Sequence, residues 1–125
     1  MIRVQVPLYQ AKAEFFRMLG HPVRIRVLEL LQDGPMPVRD LLAEIDVERS
    51  NLSQQLAVLR RSGLVNSVRE GDTVVYSLAD ADVAELLRAA RRILTELLSG
   101  QQHLLAELRE SEREAEGELV GKRGG

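Results

Sequence analysis

The stretch that decides the fold is Ser50–Val65, SNLSQQLAVLRRSGLV. Leu52, Leu56 and Leu59 recur at helical spacing and define one apolar face of a predicted helix. The opposite face is polar but free of acidic residues, and positive charge returns only at Arg60 and Arg61. The pattern predicts a helix that packs on a core through its leucines and offers hydroxyls and amides to a partner. A merely solvated, amide-rich helix is the alternative interpretation.

The composition bounds the class of protein. The chain has 125 residues, enough for one domain with a real core, and its scarcity of aromatic residues favours helices built on aliphatic side chains. It contains no cysteine, which excludes a disulfide framework, a thiolate nucleophile and a cysteine zinc site. No apolar stretch suggests a signal peptide or a membrane span, so we expect a cytoplasmic protein without membrane contact. The net charge of −2 leaves room for a local basic face.

The elements around this helix can be predicted by working outward. Upstream, the apolar spacing predicts a helix over Leu8–Leu19 that Gly20 ends, a second helix from His21-Pro22 to the stop at Asp33-Gly34-Pro35, and a third over Val38–Ile45. Downstream, alternation predicts strands over Val65–Arg69 and Thr73–Leu78, with Val74, Tyr76 and Leu78 facing inward and Glu70-Gly71-Asp72 in the turn. A long helix, capped by Asp80 or Asp82 and interrupted at Ser99-Gly100, completes the domain.

Two short helices joined by a tight turn and followed by a hairpin are the layout of a winged helix-turn-helix. The sequence therefore predicts a mainly α fold with a small β-hairpin. We expect the winged helix-turn-helix and its dimerisation helices to occupy residues 1–110. Residues 111–125 are polar, of mixed charge and glycine-terminated, which predicts a disordered tail.

The polar face of the central helix suits the major groove of DNA. Amide side chains can pair with adenine edges, hydroxyls reach bases or phosphates, and arginines attract phosphates without base geometry. Gln55 lies near the buried edge, so we rank it below Gln54 as a base contact. The candidate DNA-binding residues are Arg49, Ser50, Asn51, Ser53, Gln54, Gln55, Arg60, Arg61, Arg69 and Thr73.

These segments also resemble a family. The runs that carry the likeness are LGHPVRIRVLELL, VRDLLAEIDVERSNLSQQLAVLRRSGLV and REGDTVVYSL, within about Phe15–Leu98. They are similar to the ArsR/SmtB family of bacterial winged-helix repressors. The resemblance implies a homodimer joined through the first and fifth helices, bound to an imperfect palindromic operator in double-stranded DNA and released by an inducer. It places Ser50, Asn51, Ser53, Gln54 and Gln55 on the DNA-reading helix, and Gln55 where many members have histidine.

The wing departs from the family pattern. Many members have a basic tip, whereas Glu70 and Asp72 flank Gly71 in this chain. Acids repel phosphates, so Arg69 and Thr73 on the flanking strands are the better candidate contacts. Arg69 serves equally well as a residue that merely keeps the hairpin soluble.

The family's metal sites can be checked position by position. The thiol site of the third helix would fall at Pro37 and Arg39, neither of which is a ligand. The positions of the fifth-helix site read Asp80, Asp82, Ile93 and Glu96, a set without imidazole. Such oxygen ligands suit hard ions such as Ca²⁺, Mg²⁺ or Mn²⁺ better than zinc, and we favour helix capping for Asp80 or Asp82 and surface charge for Glu96. We therefore expect no metal and no cofactor, and the inducer is unidentified. His21 is expected to close the turn before the second helix.

The apolar stripe of the long helix is wider than one small domain can cover. A two-fold dimer would bury it and place two reading helices about one DNA turn apart, roughly 34 Å. The expected dimer-interface residues are Phe15, Phe16, Leu86, Ala90, Ile93, Leu94 and Leu97.

The rival interpretation is a dimeric winged-helix module that binds proteins and not DNA. The acidic wing and the mildly acidic net charge favour it, and the acid-free face of the central helix opposes it. An enzyme is disfavoured because the sequence has no glycine-rich phosphate loop and no Ser-His-acid set.

Overall fold

The computed structural model describes residues 6–123, with the side chains of residues 6–118. Its elements are α1 (Leu8–Leu19), α2 (Pro22–Leu30), a 3₁₀ turn (Leu31–Asp33), β1 (Met36–Pro37), α3 (Val38–Glu44), α4 (Arg49–Arg61), β2 (Val65–Glu70), β3 (Thr73–Leu78) and α5 (Ala81–Arg123). The predicted fold class, mainly α with a small β-hairpin in a winged helix-turn-helix, is confirmed. No helix within residues 6–123 is both long enough and apolar enough to cross a bilayer.

The short helices begin and end where the sequence predicts. The backbone N–H of Gly20 donates to the carbonyl of Phe16 at 2.9 Å and terminates α1. His21 then caps α2, because its Nδ1 accepts the N–H of Val23 at 3.2 Å, and Pro22 follows in the first turn. The structural role predicted for His21 is thereby confirmed.

One hydrophobic core holds the helix-turn-helix together. Leu28 of α2, Leu41 of α3 and Leu59 of α4 are fully buried in it, and Val65 brings the start of β2 against them. α3 and α4 are separated by the four residues 45–48, a turn of helix-turn-helix length. Because Leu52 and Leu56 are buried as well, α4 is fixed by its apolar face and must present the other one outward.

The wing is a three-stranded antiparallel sheet in the order β1-β3-β2. β3 has the predicted bounds, and β2 extends one residue beyond the predicted end, to Glu70, which pairs with Thr73. Gly71 lies in the turn at φ 63°. All three residues predicted to face inward are half-buried, and of these Tyr76 and Leu78 pack against the core. β1 (Met36–Pro37) was not predicted, because two residues are too few to show an alternation of apolar and polar side chains.

α5 differs from the prediction at its middle and at its end. It runs over 43 residues from Ala81 to Arg123 without a break at Ser99-Gly100. It also continues through most of the segment 111–125 for which we predicted disorder. Asp80 accepts the N–H of Asp82 at 2.8 Å and so caps its first turn. The described part of the chain divides into two compact units between Leu87 and Arg88. The domain bounds predicted from the sequence, 1–110 and 111–125, stay a prediction.

Candidate nucleic-acid interface

The outward face of α4 carries most of the predicted DNA-binding residues. Six of them are exposed: Arg49, Ser50, Ser53, Gln54, Arg60 and Arg61. Asn51 is half-buried at the edge of this face. The first turn of α4 contains no acidic residue and the last turn contains two arginines. The helix therefore has positive charge at both ends, from Arg49 and from Arg60 and Arg61, and neutral donors and acceptors between them.

Gln55 does not share this exposure. It is only 7% exposed, and it is the one polar or charged residue in the buried class among the residues described. Its Oε1 accepts the Nε–H of Arg24 at 2.8 Å, and its Nε2 donates to Asn51 Oδ1 at 3.1 Å. We therefore remove Gln55 from the predicted base contacts. The apolar side of α4 packs into the core through Leu52, Leu56 and Leu59. Gln55 therefore lies where α4 contacts α2.

Arg24 is a residue that sequence reasoning missed. It lies on α2, and its Nη1 donates to the carbonyl oxygen of Met18 near the end of α1 at 2.8 Å. Together with its bond to Gln55, this places one guanidinium between α1, α2 and α4. No local pattern could predict the pairing, because Arg24 and Gln55 are 31 residues apart in the chain.

A second arginine also escaped prediction as a contact. Arg39 of α3 lines a small cleft between α3 and α4 with Arg49 and Ser53. The side chain of Arg39 is 75% exposed, and its Nε lies 3.9 Å from Asp40 Oδ1, a loose and solvated pair. The cleft therefore adds positive charge beside the first turn of α4.

The wing brings its charges to the hairpin turn. Arg69 and the two acids Glu70 and Asp72 are exposed, and Thr73 is half-buried. Glu70 pairs with Thr73 in the strand register, and Arg69 pairs with Val74 one position further from the turn. The acids thus lie nearer the tip than Arg69 does.

The predicted dimer residues are open on the single chain. Phe16 is 55% exposed on α1, and its ring meets that of Phe15 edge to face with 5.5 Å between centroids. On α5, Ala90, Ile93, Leu94 and Leu97 are exposed, and Leu86 is half-buried. The apolar stripe of α5 then continues through further exposed leucines, which are Leu98, Leu104, Leu105 and Leu108.

The residues at the family's metal positions do not gather into a cluster. Asp80 is engaged in the cap, while Asp82 and Glu96 are exposed. Over the described part of the chain, no group of three or more His, Cys, Asp or Glu side chains is placed to hold an ion.

Comparisons with known proteins find helix-turn-helix transcriptional regulators. A family model described as a helix-turn-helix domain matches residues 19–68. The protein named uncharacterized HTH-type transcriptional regulator Rv0081, from Mycobacterium tuberculosis, is 51% identical over 104 residues, which are 82% of this chain and 91% of that protein. The HTH-type transcriptional regulator NmtR of the same organism is 46% identical over 78 residues, 62% of this chain and 65% of its own.

Solved structures agree with the sequence matches. The crystal structure of Rv0081 superposes with a TM-score of 0.72 over 78% of this chain and 98% of its own. The solution structure of Mb0332 from Mycobacterium bovis, described as a homodimeric winged helix-turn-helix DNA-binding domain, gives 0.64 at 27% identity over 78% of this chain and 94% of its own.

Proposed function

The chain belongs to the ArsR/SmtB family of winged helix-turn-helix transcriptional regulators, and on that premise we propose that it is a sequence-specific, homodimeric DNA-binding repressor. It acts in the cytoplasm on an imperfect palindromic operator and is released by an inducer. The observation that carries the proposal is the outward face of α4, which combines exposed hydroxyls and amides with flanking arginines and contains no acid. A regulator of this kind needs no catalytic group.

The distribution of neutral polar and positively charged residues along α4 supports one orientation of this helix on DNA. The N-terminal residues of a recognition helix contact base edges, and those of α4 are Ser50, Asn51, Ser53 and Gln54. Arg60 and Arg61 at the other end, and Arg49 with Arg39 beside the first turn, would then meet the phosphates on either side. We assign base selection to the first group and general affinity to the arginines.

The wing contributes less than a basic wing would. We propose that Arg69 and Thr73 make its phosphate contacts and that the tip stays back from the backbone, because Glu70 and Asp72 repel phosphate. The exposed apolar stripe of α5 and the exposed phenylalanines of α1 support a homodimer, since a single chain leaves them in water. Two reading helices related by a two-fold axis would match a palindromic site.

We infer that the inducer is not a metal bound by thiolates. The chain has no cysteine, and Pro37 and Arg39 occupy the positions of the family's thiol site. Asp80, which precedes α5 and occupies one of the remaining metal positions of the family, already accepts the N–H of Asp82.

A titration of binding against salt tests the proposal. The full-length protein is measured with random duplex DNA and with duplexes selected from a randomised library, from low to physiological salt. We expect selectable sites and a steep loss of affinity with salt, because phosphate contacts release counterions. The acidic wing tip favours the second candidate, a protein-docking module, which predicts negligible DNA binding even at low salt.

A further inference from the structure

We propose that Arg24, acting through Gln55, fixes the orientation of the Asn51 amide so that Asn51 offers DNA a hydrogen-bond donor and selects a keto base, guanine or thymine. The inference rests on the proposed DNA-binding function and deepens it. It assigns Arg24 and Gln55 as positioning residues and Asn51 as a residue that determines specificity.

The series of hydrogen bonds starts at Arg24, whose guanidinium can donate hydrogen bonds but cannot accept them. A guanidinium has five N–H donors and no acceptor. Arg24 is held in place by the bond from its Nη1 to the carbonyl oxygen of Met18 at 2.8 Å, and its Nε points to Gln55 Oε1 at 2.8 Å. Reversing the Gln55 amide would set its NH₂ against the guanidinium. At a site that is 7% exposed, such opposed donors would be left without water as a substitute partner.

The orientation of Gln55 then dictates that of Asn51. With Oε1 toward Arg24, the Nε2 of Gln55 is the atom left for Asn51, and it donates to Asn51 Oδ1 at 3.1 Å. The oxygen and nitrogen of a carboxamide lie in one plane and point in different directions from the same carbon, so holding Oδ1 toward Gln55 turns Nδ2 away from it. Among the hydrogen bonds within residues 6–118, the only one made by the Asn51 side chain is this bond through Oδ1.

This polarity changes what Asn51 can read. The usual pairing of asparagine with adenine uses one donor and one acceptor together, N–H to N7 and oxygen to the N6 amino group. Because its oxygen is held by Gln55, Asn51 brings only N–H. Guanine offers acceptors at N7 and O6 and thymine at O4, whereas the amino groups of cytosine and adenine oppose a donor. Adenine keeps N7 as an acceptor, so cytosine is the base rejected most strongly.

Gln54 provides the contrast. It is exposed, and the structure gives its side chain no bond to any of residues 6–118. Its amide can turn to present both donor and acceptor, which suits adenine. Two amides three positions apart on α4 are therefore assigned different base classes.

Two substitutions reverse the polarity by different routes. In Gln55→Glu, one carboxylate oxygen accepts from Arg24 and the other can accept only from Asn51 Nδ2, which turns Asn51 Oδ1 outward. In Asn51→Asp, one oxygen accepts from Gln55 Nε2 and the other is presented to the groove. Both variants should offer an acceptor where the wild type offers a donor.

The experiment selects bound duplexes from a randomised library with the wild-type protein, Gln55→Glu and Asn51→Asp, and reads base preference by sequencing. We expect one position in each half-site to change from a keto base in the wild type to an amino base, adenine or cytosine, in both variants. The preference should change by about tenfold, the size of a single mismatch. Gln102→Glu is the control, because it makes the same change on an exposed side chain of α5, which is outside the DNA-facing side of α4, and it should leave that position keto.

The outcomes separate the inference from the function it rests on. If the wild type enriches no sequence, the proposed function fails. If the wild type enriches sites and both variants keep the same base class at every position, the function stands and the inference is overturned. A purely structural role for Arg24 and Gln55 predicts weaker binding to all sequences with unchanged preference, which also overturns it.

Discussion

At the scale of single residues, α4 gives its two adjacent glutamines different environments. Gln54 lies in solvent on the outward face, while Gln55 is buried between Arg24 and Asn51. A rotation of about 100° from one helical position to the next is enough to separate them. We therefore expect Gln54 to contact DNA directly and Gln55 to act through its neighbour.

Gln54→Ala and Arg61→Ala should differ in kind. Gln54→Ala should relax sequence preference at one position of each half-site by about 1–3 kcal/mol, because an amide that contacts a base edge is lost. Arg61→Ala should weaken binding to every duplex alike and lower the salt slope by about one, because a phosphate contact is lost. Competition binding with specific and random duplexes at several salt concentrations measures both effects. Unchanged binding in both variants would show that the DNA-facing side of α4 is misassigned.

At the scale of the element, the sequence predicted α1 to α4 and the hairpin because each has a clear period and an identifiable stop. It did not predict β1, which consists of two residues paired with a distant strand. It also predicted a break in α5 at Ser99-Gly100 that the structure lacks. One glycine costs a helix about 1 kcal/mol, and the strong helix formers on both sides offset that cost.

Gly100 accordingly offers a prediction about stability. It lies inside α5, and an added Cβ at this position would meet nothing within 4 Å. Gly100→Ala should raise the free energy of unfolding by about 0.5–1 kcal/mol per chain, because alanine loses less backbone freedom on entering a helix. Thermal unfolding followed by circular dichroism measures the change.

Gly71→Ala is the matched control for that substitution. Its surroundings are equally open, but its φ is 63°, a conformation that alanine adopts at a cost. It should lower the midpoint of unfolding. A fall in stability for Gly100→Ala as well would mean that α5 bends at Gly100 in solution.

At the scale of the whole molecule, exposed apolar side chains on α1 and α5 are the strongest evidence that the chain does not act alone. We expect Leu97→Glu to dissociate the proposed dimer, because two symmetry-related leucines lose burial that is worth about 3–6 kcal/mol together. Sedimentation at several concentrations should show a dimer dissociation constant raised about a hundredfold or more. Operator affinity should fall with it, since the two half-sites are no longer bound by one particle.

Ser99→Glu is the control for Leu97→Glu. It adds the same charge two positions further along an exposed part of the same helix, on a residue that is not apolar. It should leave both the dimer and the operator affinity nearly unchanged. Equal effects of the two variants would point to charge, and not to the leucine stripe, as the cause.

Prediction from sequence alone reached the fold class and the exposed face of α4 but not the contacts behind that helix. The exposed residues of α4 follow from period and composition, which are local. The hydrogen bond between Arg24 and Gln55 depends on how α2 and α4 pack against each other. Because of this packing, Gln55 is a buried partner of Arg24 and not the base contact that the sequence predicted. The extent of α5 depends on helix propensities summed over its 43 residues. The single helix-breaking signal at Ser99-Gly100 therefore gave a wrong prediction.

The hydrogen bond from Arg24 to the carbonyl oxygen of Met18 has one more consequence. Met18 stands at the end of α1, the helix expected to meet the second subunit. In the proposed dimer, the guanidinium of Arg24 would therefore link the helix that meets the second subunit to the amide that we propose reads DNA. On that basis we expect a signal that alters how two chains meet to change the range of promoters that the regulator accepts, and not merely the strength of its binding.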